Sequence, residues 1–246
     1  NDERICAERA VLKLAEGCDT AKGLAQEYAG VWRLDGNGND ATGTNDGALL
    51  PVGTPPSAII DRYGNSNTAL NFSGANYAYV AGSNLLNNNA GTVCVWLKAD
   101  VLDANSRYVV SSSDEASTVR FIGLLRIGPT PNPVATIYQY NNDVPDLVTG
   151  STVLATGRWY HICTMSNGST YKIYVNGTQE TLSISGGANN GDWLSDTTAR
   201  DNFAIGAVRR SSGVSNYFDG TIDEVRIWDR ALSPEEIKKI YDESKP

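Results

Sequence analysis

The sequence predicts an all-β fold, a sandwich or jelly roll, with a helical segment at each end. Three observations predict it. First, 24 Gly and 9 Pro, with abundant Asn, Ser and Thr, break the 246 residues into many short apolar runs, the pattern of short strands joined by turns. Second, several runs alternate, as Val93, Val95 and Leu97 do within residues 92–99, which marks strands with one face on a core. Third, helix signals occur only at the two ends of the chain. Length alone does not choose between one large all-β domain and two small ones.

Residues 1–26 are rich in Ala, Glu, Lys, Arg and Leu. Ile5, Ala10, Val11 and Leu14 fit an amphipathic helix to Glu16, with Gly17 as its stop. Strands are predicted over 28–34, 69–80 around a Ser73-Gly74 turn, 92–99, 108–111, 119–127 and 134–140. Residues 159–165 and 171–175 form a hairpin across Ser166-Asn167-Gly168-Ser169, and Asn176-Gly177 is a tight-turn signal into 179–184. Residues 186–202 are a long polar loop carrying Trp193, and 203–208 are a further strand. The closing strand, 221–228, has a phase slip: Ile222 is at an even position, Val225 and Ile227 at odd ones. If all three face one core, a β-bulge lies near Asp223-Glu224. Ser233 as N-cap, Pro234 at N1 and Glu236 at N3 then open a helix whose apolar stripe is Ile237, Ile240 and Tyr241.

The run Ile222-Asp223-Glu224-Val225-Arg226-Ile227-Trp228, followed by Arg230-Ala231-Leu232-Ser233 and a helix, resembles the close of laminin-G-like, concanavalin A-like jelly-roll domains of microbial surface proteins. The opening at Tyr28–Leu34 with its Asn/Asp/Gly loop, the Trp159-Tyr160-His161 strand start and the Tyr171–Gly177 hairpin resemble the same family. The resemblance spans residues 28–243. It implies a jelly-roll domain over 28–246 and a separate helical segment over 1–27. Pilin-like proteins are similar in joining a helix to a globular head, so residues 1–27 have a second reading as the stub of an assembly helix. Family members bind glycans or proteins, or space other domains, so function is argued from sites.

The formal net charge of −8 and pI of about 4.7 argue against a phosphate-tracking groove and hence against nucleic acid. No apolar run approaches the roughly 18 residues of a membrane span. The chain begins with Asn and has four Cys and one Met, which suits a trimmed, exported product at the cell surface or beyond it.

No catalytic residue is assigned. Glycosidases on such sandwiches flank the bond with two acids. Here Asp114-Glu115 and Asp223-Glu224 are adjacent pairs, expected on opposite faces of a strand. His161 is the only histidine, so no nucleophile–base pair can be assembled around it. The resemblance implies a structural calcium at Asp223, with Asp35 near the first strand, and Asn39 and Asp40 as further oxygen donors; the plain alternative is that the loop acids form Asx turns. For a ligand surface the candidates are Tyr138 and Tyr140, two apart on one strand, Arg120 and Arg126, which share a parity on the strand before, and Trp193 in its polar loop. The plain alternative for the tyrosines is core or groove filling. Asn71, Asn167 and Asn176 open glycosylation patterns.

Four cysteines allow three pairings. Family members usually carry small residues at the positions of Cys94 and Cys163, which implies that the two face each other on neighbouring strands, about 4.8 Å apart. Cys6 and Cys18 remain, and Gly17 offers the reversal that pairing would need. The alternative is that Cys94 and Cys163 are reduced core residues. The resulting expectation is a non-catalytic extracellular recognition or adhesion module for a glycan or a cell-surface protein. Behind it stand the head domain of a filament subunit, contacting other subunits, and then a lyase or hydrolase.

Overall fold

Alternating apolar residues build two sheets around one core, and the computed structural model describes residues 28–43, 45–82, 87–141 and 145–246. In chain order the strands are β1 (Tyr28–Trp32), β2 (Ala48–Leu50), β3 (Ser57–Ile59), β4 (Ala69–Ser73), β5 (Tyr77–Ala81), β6 (Gly91–Ala99), β7 (Arg107–Ser113), β8 (Arg120–Ile127) and β9 (Ala135–Asn141). There follow β10 (Asp146–Thr149), β11 (Trp159–Ser166), β12 (Tyr171–Val175), β13 (Thr178–Gln179), β14 (Ser183–Gly186), β15 (Asn202–Ile205), β16 (Val208–Arg210), β17 (Gly213–Ser215) and β18 (Asp219–Trp228). One helix, α1 (Pro234–Ser244), closes the described chain.

The first sheet runs β13-β12-β11-β6-β18-β4-β3, with β1 also on β18. The second runs β14-β10-β9-β8-β7-β15-β5-β2, and β16-β17 form a separate hairpin. The pairings within both sheets are antiparallel, and sequential hairpins alternate with non-sequential neighbours such as β11-β6, β6-β18 and β7-β15: this is the jelly roll the sequence predicts. Val93, Val95 and Leu97 of β6 point into the shared core with Ile122 and Leu124 of β8, Ile137 of β9 and Phe203 of β15, so burial on both inner faces drives the closure.

The bulge expected in the last strand is present. Asp223 pairs with Trp96 and Arg226 with Cys94, so two residues of β18 oppose one of β6. Glu224 takes a positive φ of 51° to make the extra step. Ile222, Val225 and Ile227 are thereby all buried in the core. The helix start is also as read: Ser233 Oγ accepts from the Glu236 N–H (3.2 Å), and Glu236 Oε2 accepts from the Ser233 N–H (2.7 Å).

On the other face of the first sheet, α1 lays Ile237 and Ile240 over Trp228, Met165 and Tyr174. Cys94 and Cys163 lie opposite each other in register on β6 and β11, beneath this helix, and form a disulfide. The expected Cys6–Cys18 bond and the N-terminal helical segment over 1–27, with its filament reading, lie outside the described residues.

Candidate functional site: the outer face of the second sheet

The middle strands of the second sheet carry aromatic residues on the side turned away from the core. On β9, Ile137 is in the core, so its neighbour Tyr138 and then Tyr140 take the outer face, half-buried. On β8, Ile122 and Leu124 are in the core while Phe121 joins the outer cluster. The Phe121 ring meets Tyr138 (5.4 Å) and Tyr140 (5.9 Å) edge-on, an arrangement favoured by the ring quadrupoles. Tyr108 of β7 completes the cluster at 6.2 Å from Phe121. Gly123 makes room for it, because a Cβ there would stand 2.6 Å from the Tyr108 ring.

Sequence parity puts Arg120 and Arg126 on one face, and the structure separates them. The register of β8 against β9 shifts between Gly123 and Arg126, so Leu124 and Leu125 both face the core and Arg126 emerges on the outer face. Its guanidinium lies over the Tyr138 ring (4.9 Å) and its Nε donates to Thr136 Oγ1 (2.9 Å). Arg120, next to outward-facing Phe121, takes the other side at the strand end and pairs with Asp114 (3.1 Å). Asp114-Glu115 likewise serve separate cations, since Glu115 holds Arg209 (2.9 Å) and accepts from the Tyr79 hydroxyl (2.6 Å).

The β16-β17 hairpin crosses this face. Ser111 Oγ donates to Ala207 O (2.7 Å) and Ser113 Oγ to Arg209 O, while Val208 packs on Tyr108 and Phe121. The hairpin thus sets Arg209 over Tyr79 (4.5 Å) and Arg210 over Phe121 (4.8 Å). Burial pushes the Tyr108 phenol up to about 12, and the charges of Arg126 and Arg210 pull it the other way. Sequence reading missed Tyr108, Phe121, Arg209 and Arg210. The shared parity of Tyr77 and Tyr79 was a visible hint of an aromatic outer face; the hairpin's path was not visible.

Trp193 does not stand in its loop as a platform. It is 1% exposed, within the core cluster. Its indole nitrogen lies 2.4 Å from where a Cβ of Gly91 would be, so a glycine on β6 leaves the space that the ring fills.

The expected calcium ligands do not fit a cation site. Asp223 is 2% exposed and ion-paired with Arg62, whose other terminal nitrogen holds Glu224 (2.9 Å). Arg62 Nε donates to Ser244 O (2.7 Å), and the guanidinium is stacked over Tyr63 (4.4 Å) and Trp96 (4.9 Å). A protein cation therefore already neutralises this acidic bulge. The bulge also corrects the expectation that Asp223 and Glu224 point apart, because both reach one guanidinium. Burial, with Glu224 adjacent, raises the Asp223 carboxyl against the pull of Arg62. Burial alone would raise Glu224 as well, but Arg226 and Arg62 bring it below its ordinary value.

Asp40 is buried and accepts from the N–H groups of Val31 (2.8 Å), Thr42 (3.0 Å) and Asn45 (3.1 Å) and from the Asn45 side chain (3.0 Å). Its oxygens organise the loop, as in the Asx-turn alternative. Asn39 is exposed with its N–H on Asn37 Oδ1 (2.9 Å), and Asp35 is exposed. Among the described residues, only Cys94, His161 and Cys163 bring three ligand atoms of His, Cys, Asp or Glu within 4.8 Å of one another, and both sulfurs there are in the disulfide. His161 is sealed between Trp96 (5.1 Å) and Tyr241 (6.0 Å), and burial lowers its pKa to about 3.

Residues 72–238, more than half of the chain, match the laminin-G-type family described as the concanavalin A-like lectin/glucanases superfamily. The chain belongs to this superfamily. Among solved structures it is similar to domain 4 of AbnA, a GH43 extracellular arabinanase from Geobacillus stearothermophilus, in complex with arabinotriose (18% identity, TM-score 0.67, 87% of this chain and 98% of that one). It is also similar to the CBM40 of a Ruminococcus gnavus IT-sialidase bound to α2,3-sialyllactose (16% identity, TM-score 0.59, 70% and 96%). A third is a variant of the NanB sialidase from Streptococcus pneumoniae (17% identity, TM-score 0.57), of which this chain covers 27%. No curated protein sequence matches it.

Proposed function

We propose that the protein is a non-catalytic glycan-recognition module of secreted or surface-displayed material, and that it binds sugar on the outer face of the second sheet. The observation that carries this reading is the row of half-buried Tyr138 and Tyr140 beside Arg126, flat aromatic surface with fixed polar donors, which suits a sugar ring. Two structures of similar fold were solved with arabinotriose and sialyllactose bound, which supports the ligand class. The acids give no support to catalysis: Asp114, Glu115, Asp223 and Glu224 each hold an arginine, and His161 is buried away from this face beneath α1. A calcium at Asp223, Asp35, Asn39 and Asp40 forms no part of the proposal, because Arg62 and the loop N–H groups already use the two buried carboxylates.

A glycan array, run with calcium and again with chelator, tests the reading. Binding is expected in both, with no release of product. For a glycan so found, Tyr138→Ala and Tyr140→Ala should each weaken binding by about 1–3 kcal/mol, as for stacked aromatic anchors. Unchanged affinity in both variants places the ligand elsewhere.

A further inference from the structure

The same outer face holds two guanidiniums that no carboxylate among the described residues answers. Among the described residues, Arg126 donates to Thr136 Oγ1 and to the Tyr108 hydroxyl and stacks on Tyr138, and Arg210 donates to Ser215 Oγ (3.2 Å) and stacks on Phe121. Neither forms an ion pair with a described residue, whereas Arg209, one residue from Arg210, is matched to Glu115. The Arg210 Nε is buried and has no hydrogen-bond partner. The two cations flank one aromatic cluster: Phe121, under Arg210, touches Tyr138, under Arg126, and the field of both reaches the Tyr108 hydroxyl.

In a chain with 28 acidic and 20 basic residues, leaving two neighbouring arginines without an acid is a departure that needs an occupant. Like charges held side by side on a partly dry aromatic surface repel, and an anion between them relieves that repulsion. Stacking fixes each planar fork in place, so little side-chain freedom is lost when an anion is clasped. A neutral sugar offers these groups only hydroxyls.

We propose that Arg126 and Arg210 form an anion subsite, so that the glycans this face selects are acidic ones. The sugar ring lies on Tyr138 and Tyr140, and its carboxylate or sulfate is held between the two guanidiniums. This rests on the reading of the face as a glycan site.

The test is an array of oligosaccharides in acidic and neutral pairs, including 3′-sialyllactose, 3′-sulfolactose and lactose, followed by titration of the best binder against wild type, Arg126→Gln and Arg210→Gln. The expected result is that anionic members bind best. Each substitution should then weaken the anionic ligand roughly tenfold or more, as for a lost charge-assisted hydrogen bond. Binding should fall with added salt, and melting temperatures should stay near that of wild type. The sialylated and sulfated arms show which anion is preferred. Neutral members binding as well as their acidic partners, or both glutamine variants binding the anion as wild type does, overturns the subsite. If that happens while Tyr138→Ala still weakens binding, glycan recognition stands and only the acidic preference falls. If no oligosaccharide binds at all, both fall.

Discussion

Arg62 is the residue on which the C-terminal part of the fold depends, and nothing in its local sequence, Asp61-Arg62-Tyr63, announces it. Its partners are 161 and 182 residues away along the chain. Removing it leaves the buried Asp223 without its cation, while Glu224 keeps Arg226 (2.8 Å), and stranding a buried charge is the kind of change that costs about 3–5 kcal/mol. Arg62→Met is therefore expected to lose that much in urea unfolding. The wild type should melt at the same temperature with calcium or with chelator; a chelator-induced drop of several degrees would restore the calcium reading. His161 sets a second residue-scale expectation. Its folded pKa of about 3 lies below the ordinary 6.5, so between these values the unfolded chain binds the extra proton. Stability should fall as pH drops below about 6.5, by up to about 1.4 kcal/mol per pH unit for this one group. The chain has a single histidine, so stability measured from pH 7 to 5 should lose that slope in His161→Gln. An equal slope in the variant would contradict the buried, neutral imidazole.

At the scale of elements, the sequence was legible where polarity marks phase and illegible where it does not. The β18 bulge could be read because Asp223 and Glu224 interrupt Ile222, Val225 and Ile227. The β8 bulge could not, because Gly123-Leu124-Leu125 is apolar on both faces, so the shared parity of Arg120 and Arg126 does not put them on one face. The capping box of α1 is local chemistry and was fully readable. Trp193 misled for a physical reason: a polar loop can still send one large side chain into the core when a glycine opposite, here Gly91, leaves it room. The helix and the disulfide share one face of the first sheet. Changing Cys94 and Cys163 together to Ala should lower stability by about 2–4 kcal/mol, as expected for a long closed loop, and should leave glycan affinity unchanged. A fall in affinity with the fold intact would place the ligand on the helix side.

At the scale of the whole molecule, the two sheets have different outer faces. The first is sealed by α1, with Trp96, His161, Trp228 and the disulfide beneath it. The second is only partly covered by the β16-β17 hairpin, and it keeps Tyr138, Tyr140, Arg126 and Arg210 half-exposed. The fold was readable from the ends of the domain, because the opening strand and the closing strand-turn-helix carry its pattern. The site was half readable, since two tyrosines and one arginine were found and the groups brought by the hairpin were not. Backbone amide NMR during titration with the best-bound oligosaccharide tests the central claim most directly. Shifts should concentrate at Phe121, Arg126, Tyr138, Tyr140 and Arg210, on one face of the second sheet. Shifts confined to α1 and the first sheet, or to the 35–46 loop, would contradict it.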